Sequence, residues 1–176
     1  MPNNGYALSK LMQEKILKVY CYKNNIKFLS YRIGYVYGRN MNNKRCSLYL
    51  ITPPKIVLTD FIEKLSQAFD GGEIAALQVR LKDSDKNDIC RAIEKIFPIA
   101  QSYGTSLIVN DDPRIAKEMG CDGVHIGQSD TCYSNARQII GADKVVGVTC
   151  HDSRHLAMEA GDQGADYVAF GSFYHT

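Results

Sequence analysis

The chain has 176 residues, 45% hydrophobic and 23% charged, a balance that excludes disordered and collagen-like classes. No apolar run approaches the roughly 18–20 residues that span a bilayer, and MPNNGYALSK lacks the order of a signal peptide, so a cytoplasmic protein without a membrane partner is expected. The net charge of +2 hides a division: residues 1–45 hold nine Lys/Arg against one acid, while 46–176 hold twelve against eighteen.

From Tyr6 to about Cys21 the apolar positions Leu8, Leu11, Met12, Ile16, Leu17 and Tyr20 recur at three and four, the period of an amphipathic helix. FLSYRIGYVYG then reads as a strand and RNMNNKR as a polar connector. Cations interleaved with tyrosines raise nucleic-acid binding. The lysines spread around the helix, however, and no RNP-like motif is present, so a solvated face is the better reading and no nucleic-acid partner is expected. A seam falls near Asn40 to Cys46, giving a helix–strand segment over 1–45 and a second unit over 46–176.

After Ser47 short apolar runs recur at LYLIT (48–52), ALQVRLK (76–82), SLIVND (106–111), GVHIGQ (123–128), VVGVTC (145–150) and YVAFGSF (167–173). Between them lie helical stretches beginning at FIEKLSQAF, NDICRAIEKIFPIAQSYG, PRIAKEMG, YSNARQIIG and SRHLAMEAGDQG, several opened by a cap or proline and closed by glycine. Alternating strands and helices indicate a parallel sheet. Polar residues cluster at the carboxyl end of almost every strand, which favours a barrel mouth over an open sheet, where only the two strands at the switch point converge. The expected class is α/β, of the (β/α)₈ TIM-barrel type with six of its eight strands in this sequence, preceded by the helix–strand segment.

Gln78, Arg80 and Lys82 alternate with Val79 and Leu81 and so share one strand face. Inside a barrel mouth they form a ladder of donors for phosphate oxygens; on an edge strand they would merely be solvated. Asp111 and Asp130 follow neighbouring strands, and two carboxylates opposite a cationic ladder suit Mg²⁺ bridging protein to a diphosphate. Asp112, directly before Pro113, fits a helix cap instead. His125, within apolar GVHIG, reads as a hydrogen-bonded structural residue rather than a base. His151 and His155 lack companions at zinc spacing, and Cys150 has no positioned base. The six cysteines, without a CxxC pair, argue against a metal cage or disulfide framework.

The motifs LYLITPP, ALQVRLK, IVNDDPRIAKEMGCDGVHIGQSD, GVTCH and GADYVAFGSFYHT, in this order, resemble thiamine-phosphate synthases from Ser47 onward. The resemblance implies coupling of a hydroxymethylpyrimidine diphosphate to a thiazole phosphate, with loss of diphosphate. It implies that Gln78, Arg80, Lys82, Asn110 and Thr149 hold the pyrimidine diphosphate, that Asp111 and Asp130 bind Mg²⁺, and that Thr176 begins the thiazole phosphate loop. No residue is assigned as acid or base. RLK stands where the family more often has REK. The family pattern continues past Thr176 through a TxTK stretch and two more strands. For this sequence little or no synthase activity is therefore expected, with pairing of copies through strand edges; the competing reading is a noncatalytic pyrimidine-diphosphate-binding remnant or a fused fragment with an NAD-dependent epimerase-like N-terminus. Residues 1–40 resemble extended short-chain dehydrogenases and sugar-nucleotide epimerases. Tyr6 and Lys10 have the YxxxK spacing, which implies acid/base and ribose-binding roles, but the glycine-rich dinucleotide fingerprint is absent.

Overall fold

The computed structural model describes residues 48–171. Six strands and five helices alternate within them: β1 (Leu48–Ile51), α1 (Leu58–Asp70), β2 (Ile74–Val79), α2 (Lys86–Ser102), β3 (Ser106–Asn110), α3 (Pro113–Glu118), β4 (Gly123–Ile126), α4 (Tyr133–Ile140), β5 (Val145–Thr149), α5 (Arg154–Gln163) and β6 (Tyr167–Ala169). Each strand and helix expected after Ser47 is present, with its ends moved by a few residues. Local chemistry sets the helix starts. Asp85 accepts from the Asp88 N–H at 2.8 Å, Asp112 from Arg114 and Ile115, and Ser153 from Leu156, each satisfying first-turn donors.

All five strand pairings are parallel, and the order across the sheet is the order along the chain. A doubly wound sheet would reverse at a switch point. An unbroken sequence of neighbours is the wall of a barrel, and its curl is visible in one contact. Tyr49 on β1 and Tyr167 on β6 bring their hydroxyls to 2.7 Å. A flat sheet would hold those strands five spacings of about 4.8 Å apart, roughly 24 Å. The described residues thus form a curled half-barrel.

Alternation along the strands sorts residues between two faces. Leu77, Val79, Leu107, Val109, Val124, Ile126, Val146 and Val148 pack outward with Leu65, Phe69, Ile93, Ile96 and Ala136 of the helices in one core. Gln78, Ile108, Asn110, His125, Gly147, Thr149 and Tyr167 take the opposite face. Gly147 is required there, because a Cβ would stand 1.9 Å from Cζ of Tyr167.

The sequence pattern carries β2 to Lys82, whereas the strand ends at Val79. The Arg80 N–H donates to Oγ1 of buried Thr52 at 2.8 Å instead of to a neighbouring strand, which stops the ladder. Arg80 and Lys82 therefore follow the strand rather than lying on it.

The amino ends of the strands are tied by side chains from the preceding connections. Thr105 donates to the Ile74 carbonyl at 2.8 Å, Asp122 accepts from Leu107 N at 2.8 Å, and Asp166 accepts from Val146 N at 2.7 Å. Arg137 braces the last of these, bonding Asp166 and the carbonyls of Gly141 and Lys144.

Candidate active site

The carboxyl ends of the strands carry most of the residues singled out from sequence. Gln78, 3% exposed, donates from Nε2 to Asn110 Oδ1 at 2.5 Å, across the β2–β3 pair. Tyr49 Oη donates to Gln78 Oε1 at 3.3 Å and meets Tyr167 Oη. Tyr167 Oη lies 2.8 Å from His125 Nδ1, and His125 Nε2 lies 2.7 Å from Thr149 Oγ1. One polar network thus takes a side chain from each of the six strands. No buried side-chain nitrogen or oxygen among the described residues lacks a partner, as a polar network in a dry interior must achieve to avoid costing stability. Burial and the charge of Arg80 hold the His125 imidazole down to about 4, so it is neutral near pH 7.

Asp111 and Asp130 stand beside this network. The Asp111 N–H donates to the His125 carbonyl at 2.8 Å, which pins the residue in the left-handed region with φ of 67°. Asp130 accepts from the Gly127 N–H at 2.7 Å, closing the turn after β4. Partial desolvation, a hydrogen bond with Asp130 and the charge of Asp130 push the Asp111 carboxyl up to about 6, opposed by Arg80 and Lys82. These interactions bring Asp111, Asp130, Arg80 and Lys82 within one electrostatic neighbourhood. The two carboxylates also line an open cleft of about 830 Å³ that extends past Arg114, Cys132 and Asn135.

The carboxylate pair fits Mg²⁺. Both are hard oxygen donors, and they stand close enough for the charge of Asp130 to raise the Asp111 carboxyl, a repulsion that a divalent cation between them would relieve. Among the described residues no group of three or more His, Cys, Asp or Glu could hold a metal alone, so a Mg²⁺ held by this pair would take its other ligands from water and substrate oxygens, the usual pattern for this ion.

Asp112 caps α3, leaving Asp111 to the mouth. Cys150 is buried, with its thiol 3.7 Å from the Val148 carbonyl, and His151 and His155 are exposed. Thr176, Tyr6 and Lys10 lie outside the described residues. Tyr49 and Tyr167 are the site-forming residues that sequence reasoning missed. The available signal was a polar hydroxyl within each of two otherwise apolar strands.

The family model described as thiamine monophosphate synthase matches residues 48–176. A second, described as the NAD dependent epimerase/dehydratase family, matches residues 1–65; its stretch from 48 to 65 is folded as β1 and the first part of α1. A thiamine-phosphate synthase of Rhodospirillum centenum is 54% identical over 131 residues, covering 74% of this chain and 63% of the relative. That of Hyphomonas neptunium is 40% identical over 137 residues, covering 75% and 62%. Among solved structures, a thiamine phosphate pyrophosphorylase from Pyrococcus furiosus superposes with a TM-score of 0.64 at 27% identity, over 74% of this chain and 62% of that one. The chain therefore spans a little over three fifths of the length of these relatives. With the parallel half-barrel and a family match over residues 48–176, the chain belongs to the thiamine monophosphate synthase family.

Proposed function

We propose that the mouth of the half-barrel binds a hydroxymethylpyrimidine diphosphate with Mg²⁺ and belongs to a thiamine-phosphate synthase site. The observation that carries this is the convergence of amide donors, two cations and a carboxylate pair at one set of strand ends. Arg80 and Lys82 meet diphosphate oxygens, Gln78 and Asn110 orient the substrate, and Thr149 contacts the pyrimidine. Asp111 and Asp130 would hold Mg²⁺, which when bound supplies neutralising charge for the departing diphosphate. In the coupling, the pyrimidine carbon–oxygen bond breaks and its electron pair leaves with the diphosphate. The thiazole nitrogen then gives its lone pair to that carbon. Neither change needs a base at His125, consistent with its neutral, fully bonded ring. Thr176 is assigned to the thiazole phosphate. A cytoplasmic setting and pairing of copies along the β1 or β6 edge go with this reading, and sedimentation measures the latter.

Calorimetry on the full chain with the pyrimidine diphosphate, with and without Mg²⁺, tests the proposal beside a product assay containing both substrates. Mg²⁺-dependent binding that is lost in Asp111→Asn is the expected result. Binding indifferent to both the cation and the substitution would remove the metal assignment.

A further inference from the structure

The polar network at the mouth has a direction that can be followed hydrogen by hydrogen. A phenol has one hydrogen to donate, and a side-chain amide oxygen has none. Tyr49 gives its hydrogen to Gln78 Oε1, so the Tyr49 oxygen must accept from Tyr167 at 2.7 Å. The Tyr167 oxygen, its hydrogen committed, must accept from His125 Nδ1 at 2.8 Å. A neutral imidazole protonated on Nδ1 has a bare Nε2, which accepts from the Thr149 hydroxyl at 2.7 Å. At the other end Gln78 Nε2 donates to Asn110 Oδ1.

We infer that Thr149, His125, Tyr167, Tyr49, Gln78 and Asn110 form a single directed hydrogen-bond chain that gives the mouth a donor end at β3 and an acceptor end at β5. Asn110, its oxygen engaged, presents its Nδ2 hydrogens. Thr149, its hydrogen engaged, presents only lone pairs. Such a mouth selects a ligand with an N–H group toward β5 and an acceptor toward β3, the chemistry of an amino-substituted nitrogen heterocycle. The assignment deepens the proposed pyrimidine site and rests on it for the ligand. Tyr49, Tyr167 and His125 are positioning residues: they act through Thr149, Gln78 and Asn110. The orientation of the Gln78 amide decides the whole direction, because exchanging its nitrogen and oxygen would reverse every bond and place the His125 proton on Nε2.

The tautomer of His125 is the direct readout. Two-bond ¹H–¹⁵N correlation spectra of the histidine-labelled full chain, without ligand, should show Nδ1 protonated and Nε2 bare. The opposite tautomer overturns the inference, and since no ligand is present the result is independent of the substrate proposal. Tyr49→Phe keeps the ring and deletes the relay. Tyr167 can then donate to His125, and the ring should shift toward the Nε2-protonated form; an unchanged tautomer would mean that the chain does not reach His125. In calorimetry Tyr49→Phe should weaken the pyrimidine diphosphate by about tenfold, the worth of one hydrogen bond, and leave inorganic diphosphate with Mg²⁺ unchanged. Equal loss for both probes overturns the link between chain direction and heterocycle.

Discussion

At the amino ends of the strands Thr105, Asp122 and Asp166 give their side chains to backbone groups of the preceding strand, whereas at the carboxyl ends Gln78, Asn110, His125 and Thr149 bond through side chains. Backbone conformation divides the same way. The left-handed positions that follow helices at the amino end are glycines, Gly104, Gly120, Gly141 and Gly164, while those after β2, β3 and β5 are Asp83, Asp111 and His151. A non-glycine residue in that region costs about 1 kcal/mol, less for Asp with its local hydrogen bonds. The amino end satisfies its backbone with little strain. The carboxyl end accepts strain and leaves polar atoms available to place charges and donors, the division between stability and chemistry seen in barrel enzymes.

Acid should sharpen this contrast most. His125 is held at about 4 against roughly 6.5 when unfolded, so between these values the unfolded chain binds the extra proton. Its contribution to stability is present above the unfolded value and is lost as pH falls toward 4, by up to about 3 kcal/mol. Asp111, raised to about 6, works with the opposite sign: its contribution is present in acid and is lost as pH rises through about 6. Asp111→Asn removes that opposition, so urea midpoints of the variant should fall more steeply than wild type on acidification from 6.5 to 4. Parallel slopes would show that the two groups do not oppose each other.

Asp166→Ala acts at the other end. It orphans the Val146 N–H and unpairs Arg137, and should cost about 2 kcal/mol in urea unfolding while leaving affinity for the pyrimidine diphosphate unchanged. A fall in affinity measured well below the melting temperature would break the separation of the two ends. Asp112→Ala, which removes the α3 cap, should cost about 1 kcal/mol, with Mg²⁺ dependence retained because Asp111 is untouched. The smallest change in stability has the opposite sign. Asp111→Gly relieves a φ of 67° and should stabilise the apo protein by about 0.5 kcal/mol. Mg²⁺-dependent binding should weaken by at least the tenfold typical of losing a residue that only supports a metal ligand.

The fold was legible because Leu77 and Val79 alternate with Gln78, and the same period recurs in each strand; polar strand ends then favoured a barrel. Asp112 was legible as a cap from its place before Pro113. The end of β2 was not, since RLK continues the alternation and only Thr52, 28 residues earlier, diverts the Arg80 N–H. Nor were Tyr49 and Tyr167. A tyrosine in an apolar strand fits ordinary packing equally well, and no local pattern marks two hydroxyls that meet across 118 residues.

That meeting also has a kinetic consequence. Every described strand pairs only with its neighbours in the chain, so this sheet can grow by short loop closures as the polypeptide leaves the ribosome. The Tyr49–Tyr167 contact is different, because it joins the first described strand to the last. Five strands can be in place while the Tyr49 hydroxyl and the His125 Nδ1 still wait for a common partner. Competence to discriminate a ligand should therefore appear after secondary structure is complete, as a separate late phase timed by the docking of β6.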